Sequence, residues 1–359
     1  MKERPIILTD TIGETVSIRR VKSTSWAIKQ RVVQGDNAQN PTWLRIDNPG
    51  QKRKIEIVLF WADTEWPHFR YCGYQKIDGN YIPIRCQTAA HVKTTFHLEI
   101  PPGISFFGHF PWYFNEDGDR FLNDISDHQP RCQARVIGTT AQGREIRCLT
   151  VSNPEKSGKK QNVLILARIH ATESSGSFAV EGAAKYLLND PAAKQLLDRY
   201  VFHLFPIVNP DGAAAGLKLT RLIGPYTELN METATMCSDD PTMKSLRAEI
   251  KSLKPAVFID FHSWLQPTPG YFFFDKQVGA SLFDALCDMD MPRQSNVQMT
   301  CLPCSNPDKT PRDYCFKNFN TTIAVAELPW NWNRLPSDME KFGQAILQSA
   351  IRAHEKIAK

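Results

Sequence analysis

The 359-residue sequence has no apolar stretch close to the ~20 residues that a membrane-crossing helix needs, so no membrane partner is expected. Its first residues, MKERPIILTDTIGET, hold only the short apolar run Pro5–Leu8, too little for the core of a secretory signal. It also lacks an excess of one charge. The 43 basic and 38 acidic residues give a net charge of +5 and are spread along the chain, the densest basic spot being Gly50–Lys54, which argues against a nucleic-acid partner. Cysteine is sparse: the nine are odd in number and irregularly spaced, which fits reduced thiols in a cytoplasmic protein rather than a disulfide framework.

What is present is ordinary globular composition, 42% hydrophobic, in a chain long enough for two packed cores. Up to about residue 105, short runs such as TWLRI, IEIVLFWA, YIPIRC and TTFHLEI alternate with Asn-Pro-Gly, Asp-Gly-Asn and Pro-Pro-Gly turns. That rhythm predicts an N-terminal antiparallel β-sandwich, taken as residues 1–125. A polar stretch, FNEDGDRFLNDISDHQP (114–130), is expected to join it to the rest.

From 126 to 359 the pattern is α/β. The runs REIRCLTV, NVLILARI, YVFHLFPIV, AVFIDFH and TIAVAEL are nearly continuously apolar, as strands of a sheet covered by helices on both faces should be. Helical spacing follows at 176–190 and 240–253, and in a C-terminal segment from Pro336 whose expected cap is Ser337 with Glu340. Ligands of such folds bind beyond the carboxyl ends of the strands.

Three runs end in residues able to bind metal or move protons: His170 and Glu173 after NVLILA, His262 in FIDFHSW, and Glu327 in AVAELPW. Two imidazoles and a carboxylate are a recurrent catalytic zinc set with a coordination position left for water, and Glu327 is then free for proton transfer. Alone, His-x-x-Glu is a weak signal, since a strand-end His often bonds only a neighbouring carbonyl. The order is more telling: strand, His-x-x-Glu, helix; strand, Asn-Pro-Asp-Gly; strand, Asp-x-His; strand, Glu.

These segments, RIHATESSGSFAVEGAAKYLL, VFHLFPIVNPDGAAAG, FIDFHSW and AVAELPWN, resemble those of the zinc metallocarboxypeptidases, in particular their cytosolic carboxypeptidase branch. The resemblance implies a mixed central sheet with helices on both faces, preceded by a β-sandwich joined near PPG…FPWY (101–113). It implies zinc held by His170, Glu173 and His262, Glu327 as general base, and Arg221 opposite the developing oxyanion. Asp260 either orients a ligand histidine through its second ring nitrogen or caps a strand end.

One departure bears on substrate. The resemblance implies an Asn-Arg pair gripping a terminal carboxylate, and Asn230 is present, but Met231 stands in the place of the Arg. A thioether cannot form that bidentate, charge-assisted contact. Arg312 or Lys218 is a candidate replacement cation, and Tyr314 a candidate donor to substrate. The leading expectation is a zinc-dependent hydrolase cutting a peptide or amide bond at or near a C-terminus. The alternative is an amidase or deacylase acting on a substrate without that carboxylate, with a non-catalytic binding protein behind both. Cys301 and Cys304 have metal-like spacing but no second pair, and a structural role is expected for them.

Overall fold

The computed structural model describes residues 5–12, 15–31, 41–61, 72–90, 92–128, 130–217, 220–221, 228–264, 272–274, 299–300, 306–329 and 334–357. The Cys301–Cys304 pair, Lys218 and the tryptophans at 330 and 332 lie outside these residues.

Among the described residues, ten strands build the N-terminal region: β1 Ile7–Asp10, β2 Val16–Lys22, β3 Ser25–Gln30, β4 Trp43–Asn48, β5 Arg53–Phe60, β6 Cys72–Ile77, β7 Asn80–Arg85, β8 Thr88–Ala90, β9 Lys93–Ile100 and β10 Gly103–Gly108. They form two five-stranded sheets, ordered β1-β4-β10-β6-β7 and β2-β3-β5-β9-β8. Alternation sets the faces. Ile55, Ile57 and Leu59 point inward from β5 while Lys54 and Glu56 point out, and Phe96, Leu98 and Ile100 do the same from β9. All pairings are antiparallel except β3 with β5. The chain leaves one sheet after β3, runs through β4 in the other and returns beside β3, so β3 and β5 share a direction.

The polar stretch expected as a connector is a helix, α1 Asn115–His128. Its polarity hides the 3.6-residue stripe of Gly118, Phe121, Leu122 and Ile125, which it turns to the core. Asp117 Oδ2 accepts from Phe114 N at 2.9 Å and fixes the first turn.

The second region is built on an eight-stranded sheet ordered β11-β12-β14-β13-β17-β20-β18-β19. Its strands are β11 Cys132–Thr139, β12 Glu145–Val151, β13 Gln161–Ala167, β14 Tyr200–Phe205, β17 Val257–Trp264, β18 Phe272–Phe274, β19 Met299–Thr300 and β20 Thr322–Pro329; a separate ribbon pairs β15 Thr220–Arg221 with β16 Glu228–Leu229. The four central strands, β14-β13-β17-β20, run parallel. The helices are α2 Ser175–Asn189, α3 Lys194–Arg199, α4 Pro210–Ala215, α5 Met231–Ala234, α6 Pro241–Leu253, α7 Pro311–Phe319 and α8 Pro336–Ile357.

Alternation again assigns the faces. Val163 and Ile165 of β13, Ile259 and Phe261 of β17, and Ala324 and Ala326 of β20 pack under α2 and α8. Leu164, Leu166, Phe258 and Val325 face Met243, Leu246 and Ile250 of α6 and Cys315 of α7. Helix α8 begins differently from the expected Ser337–Glu340 box: Asp338 Oδ2 accepts from Leu335 N at 2.8 Å, and Glu340 pairs instead with Lys185 of α2 at 2.8 Å. Aromatic contacts join the two regions, with Tyr81 and Tyr113 edge-on to Phe178 of α2 at 6.4 and 5.0 Å between centroids.

Candidate metal centre

Strand β13 stops at Ala167, and the chain turns through Arg168–Ser174 into α2. The small residues after Glu173 let this turn sit tightly on β17: a Cβ at Gly176 would lie 2.9 Å from Phe261 O. His170 and Glu173 are buried in the turn, with Glu173 N donating to His170 O at 3.1 Å.

His262 enters from β17. On this strand Phe258, Asp260 and His262 share the face turned away from α2, and parallel pairing sets His262 directly opposite Glu327 of β20. Both imidazoles direct Nδ1 at the same carboxylate: His170 Nδ1 lies 3.0 Å from Glu173 Oε1, and His262 Nδ1 lies 3.0 Å from Glu173 Oε2. The donor atoms of His170, Glu173 and His262 all fall within 4.8 Å of one another. Ser263 N donates to Glu173 Oε2 at 3.0 Å, so the backbone of β17 holds the carboxylate as well.

The far nitrogen of each ring faces another acid. His262 Nε2 is 3.2 Å from Asp260 Oδ2, and His170 Nε2 is 3.5 Å from Glu232 Oε2, an ion-pair separation rather than a formed hydrogen bond. Such partners fix which ring nitrogen carries the proton and leave Nδ1 as a lone-pair donor. Two imidazole nitrogens and one carboxylate, converging and each ring backed by an acid, therefore fit a zinc ion.

With no ion bound, Glu173 and His262 hold one another in their charged forms, and an ion bound there would displace a proton from His262. Burial alone would raise the Glu173 carboxyl, but the charges and hydrogen bonds of His170 and His262 outweigh it and hold it well below the usual carboxylate range. Burial would lower His262, yet Asp260 and Glu173 hold it well above its ordinary value. Glu327 goes the other way: burial pushes it up to about 8, His262 opposes, and Glu173, Glu232 and Asp260 add to the rise.

The remaining candidates are placed less centrally. Arg221 ends β15 opposite Glu228, and its side chain lies outside what is described. Asn230 caps α5, its Oδ1 accepting from Glu232 N at 2.9 Å. Arg312 Nε donates to Asp313 Oδ1 at 2.8 Å, and Tyr314 packs edge-on to Phe319 at 5.6 Å beneath Lys251. Among the described residues, these contacts run along α7 and toward α6 rather than to the His–Glu–His group. Met231 is fully buried in the core on the α6 side. Glu232, which the sequence reading passed over, faces His170 in its stead; its signal was only an acid following Asn230-Met231.

The zinc carboxypeptidase family model matches residues 119–230, which takes in His170, Glu173 and Asn230 and stops short of His262 and Glu327. Cytosolic carboxypeptidase 2 of Macaca fascicularis is 28% identical over 211 residues, covering 55% of this chain and 24% of that protein. The human protein of the same name is 29% identical over 170 residues, covering 44% of this chain and 19% of that one. The chain thus spans about a quarter or less of the length of these curated relatives. A metallo-carboxypeptidase from Burkholderia cenocepacia superposes with a TM-score of 0.79 at 21% identity, covering 99% of this chain and 100% of that one. One from Pseudomonas aeruginosa, solved with (2-guanidinoethylmercapto)succinic acid, superposes at 0.78 and 17%, covering 97% and 98%. At these identities the superpositions establish the fold, mixed sheet and N-terminal β-rich region together. Residues 119–230 thus match the zinc carboxypeptidase family model, the chain is similar in sequence to the cytosolic carboxypeptidases, and it shares the metallocarboxypeptidase fold.

Proposed function

We propose that this protein is a zinc-dependent hydrolase that cleaves an amide bond at or near a peptide C-terminus, with His170, Glu173 and His262 holding the ion and Glu327 as general base. The observation that carries this reading is the convergence of both Nδ1 atoms on the Glu173 carboxylate, with Glu327 in register beside His262. A zinc ion bound there supplies Lewis acidity, polarising the scissile carbonyl and lowering the pKa of water.

The chain's own residues divide the remaining work. Glu327 takes a proton from the attacking water and returns it to the leaving nitrogen, and a cation bound beside it would favour its carboxylate form against the burial that pushes it up to about 8. Asp260 and Glu232 keep His262 and His170 turned inward. Arg221 is assigned to the developing oxyanion, and Asn230, Arg312 and Tyr314 to substrate. For Arg312 that means exchanging its contact with Asp313 for one with the ligand. We place the division between the two regions ahead of α1, because Arg147 of β12 binds Asp119 and Asn123 of that helix at 2.8 and 2.7 Å, whereas residue 125 falls inside it. A cytoplasmic location accords with the sparse, irregular cysteines and the names of the relatives.

A second reading, an amidase or deacylase acting on a substrate without a free terminal carboxylate, is favoured by Met231. Its side chain is in the core and an acid, Glu232, faces the site. Elemental analysis of wild type and His170→Ala, with hydrolysis assayed on the same samples, tests the shared zinc chemistry. About one zinc per chain, lost with activity in the variant, is expected; a wild type that takes up no supplied zinc would sink both readings. Peptides with free C-termini, compared with amidated peptides and N-acyl amino acids, separate the two.

A further inference from the structure

The turn carrying His170 and Glu173 is held from behind by a segment that precedes the family match. Arg168 opens the turn. It is fully buried, and its backbone has φ +67°, a left-handed conformation that is strained for an L-residue. Its side-chain contacts offset that strain. Arg168 Nε donates to Ala171 O, inside the turn between the two ligands, and NH1 donates to Tyr113 O at 3.0 Å. The guanidinium plane lies over Trp112, 4.7 Å from the ring centroid.

The far end of the turn is tied to the same place. Ser174 Oγ donates to Pro111 O at 2.5 Å. Pro111, Trp112 and Tyr113 are buried, and Tyr113 OH donates onward to Glu181 Oε1 of α2 at 2.7 Å. Residues 168 and 174, which bracket both ligands, are therefore anchored to three consecutive residues of one segment. Only a planar fork can reach two carbonyls in different directions while stacking on an indole; a lysine keeps the charge but loses that geometry. The guanidinium also attracts the Glu173 carboxylate, so removing it takes away both a brace and a favourable charge.

We propose that Pro111–Tyr113 is part of the scaffold of the metal centre, and that Arg168 is the positioning residue through which it sets His170 and Glu173. This rests on the reading that His170, Glu173 and His262 hold an ion, but its first test does not. The segment leading out of the N-terminal region then holds the metal turn in shape.

The test uses the full chain, as wild type, Arg168→Lys and Ser174→Ala. In metal-free protein, amide hydrogen exchange is expected to speed up at least tenfold at Glu173 and Ser174 in Arg168→Lys, while amides of β13, β17 and α8 keep their rates. In the same variant zinc affinity, measured by chelator competition, is expected to fall about 10–100-fold, the usual cost of losing a partner outside the ligand shell. The visible spectrum of the cobalt-substituted protein is expected to shift. A folded Arg168→Lys with wild-type exchange and wild-type zinc affinity would overturn the proposal. Where Arg168→Lys does not fold, Ser174→Ala decides: local loosening and a few-fold weaker zinc support it, and wild-type values refute it. A wild type that binds no zinc removes the function proposed above, while the exchange data still settle whether Arg168 sets the turn.

Discussion

Glu327 stands directly opposite His262 across the parallel β17–β20 pair, on the face that carries Asp260 and is turned away from α2. Being a neighbour of a ligand without belonging to the Glu173-centred cluster, it is removable without removing a donor. Glu327→Gln is expected to keep zinc at the wild-type level and lose about 10²–10⁴-fold in kcat, the range of a general base. Zinc content with single-turnover hydrolysis checks this; activity within a few-fold of wild type would strike Glu327 from the mechanism.

The two acids behind the rings are expected to matter unequally. Asp260 is buried 3.2 Å from His262 Nε2, whereas Glu232 is partly exposed and 3.5 Å from His170 Nε2. Asp260→Asn is predicted to weaken zinc binding by about 10–100-fold, and Glu232→Gln by less, because an exposed partner is screened by water. Equal losses, or none in Asp260→Asn, would show that the rings are oriented by something else.

How much of this was legible depended on whether the signal lay along the chain. The strands β13, β14, β17 and β20 were readable because burial on both faces fills them mostly with apolar residues, His203 and Asp260 being buried exceptions. His170 and Glu173 were visible because they follow such a run at once, and His262 and Glu327 because each interrupts one. The order of the site was therefore open to reading before its geometry was. Helix α1 was missed because its overall polarity drew attention from the stripe at 118, 121, 122 and 125. Arg168, Glu232 and the hold of residues 111–113 on the metal turn depend on which segments meet in space. The one linear trace of Arg168 was a charge set directly after NVLILA.

At the crossing of α2 and α8 the backbones meet at two glycines. A Cβ on Gly182 would lie 2.0 Å from Glu340 O, and one on Gly343 would lie 1.9 Å from Ala179 O. Alanine is the better helix former by about 1 kcal/mol, so an open site would gain stability. Here the obstacle is backbone on both sides, and forcing the helices apart costs about 1–3 kcal/mol or more. Gly182→Ala and Gly343→Ala are each predicted to lower Tm by several degrees; a rise in either would mean that the helices separate freely.

His203, remote from the His170–Glu173–His262 group, is predicted to make the fold sensitive to acid. Burial, with Arg135 adding to it, lowers His203 to about 4. Its Nε2 lies 3.0 Å from Asn162 Oδ1 and its Nδ1 3.1 Å from Arg135 NH2, so the neutral ring donates to the first and accepts from the second. Between about pH 6.5 and 4 the unfolded chain then binds a proton at this site that the folded chain does not. Stability should fall as pH falls through that window, by about 1.4 kcal/mol per unit. Urea unfolding at several pH values should show a shallower slope in His203→Gln than in wild type. Identical slopes would place the acid sensitivity elsewhere.

The last prediction concerns the position where the resemblance calls for an arginine. If Met231 were merely a lost carboxylate clamp, Met231→Arg would restore preference for free C-termini. The side chain, however, is fully buried among the apolar residues facing α6, while Glu232 is the neighbour turned to His170. An unpaired guanidinium there costs about 3–5 kcal/mol, so the variant is expected to lose stability or solubility and to gain no selectivity. Thermal unfolding, combined with kcat/KM for matched peptides ending in a carboxylate and in an amide, measures both effects. A stable variant that gained a strong preference for the carboxylate would show that residue 231 reaches the substrate, and would remove the main support for the deacylase reading. Loss of stability with unchanged preference would mean that selectivity at this end of the site is set by Glu232 and the residues around it.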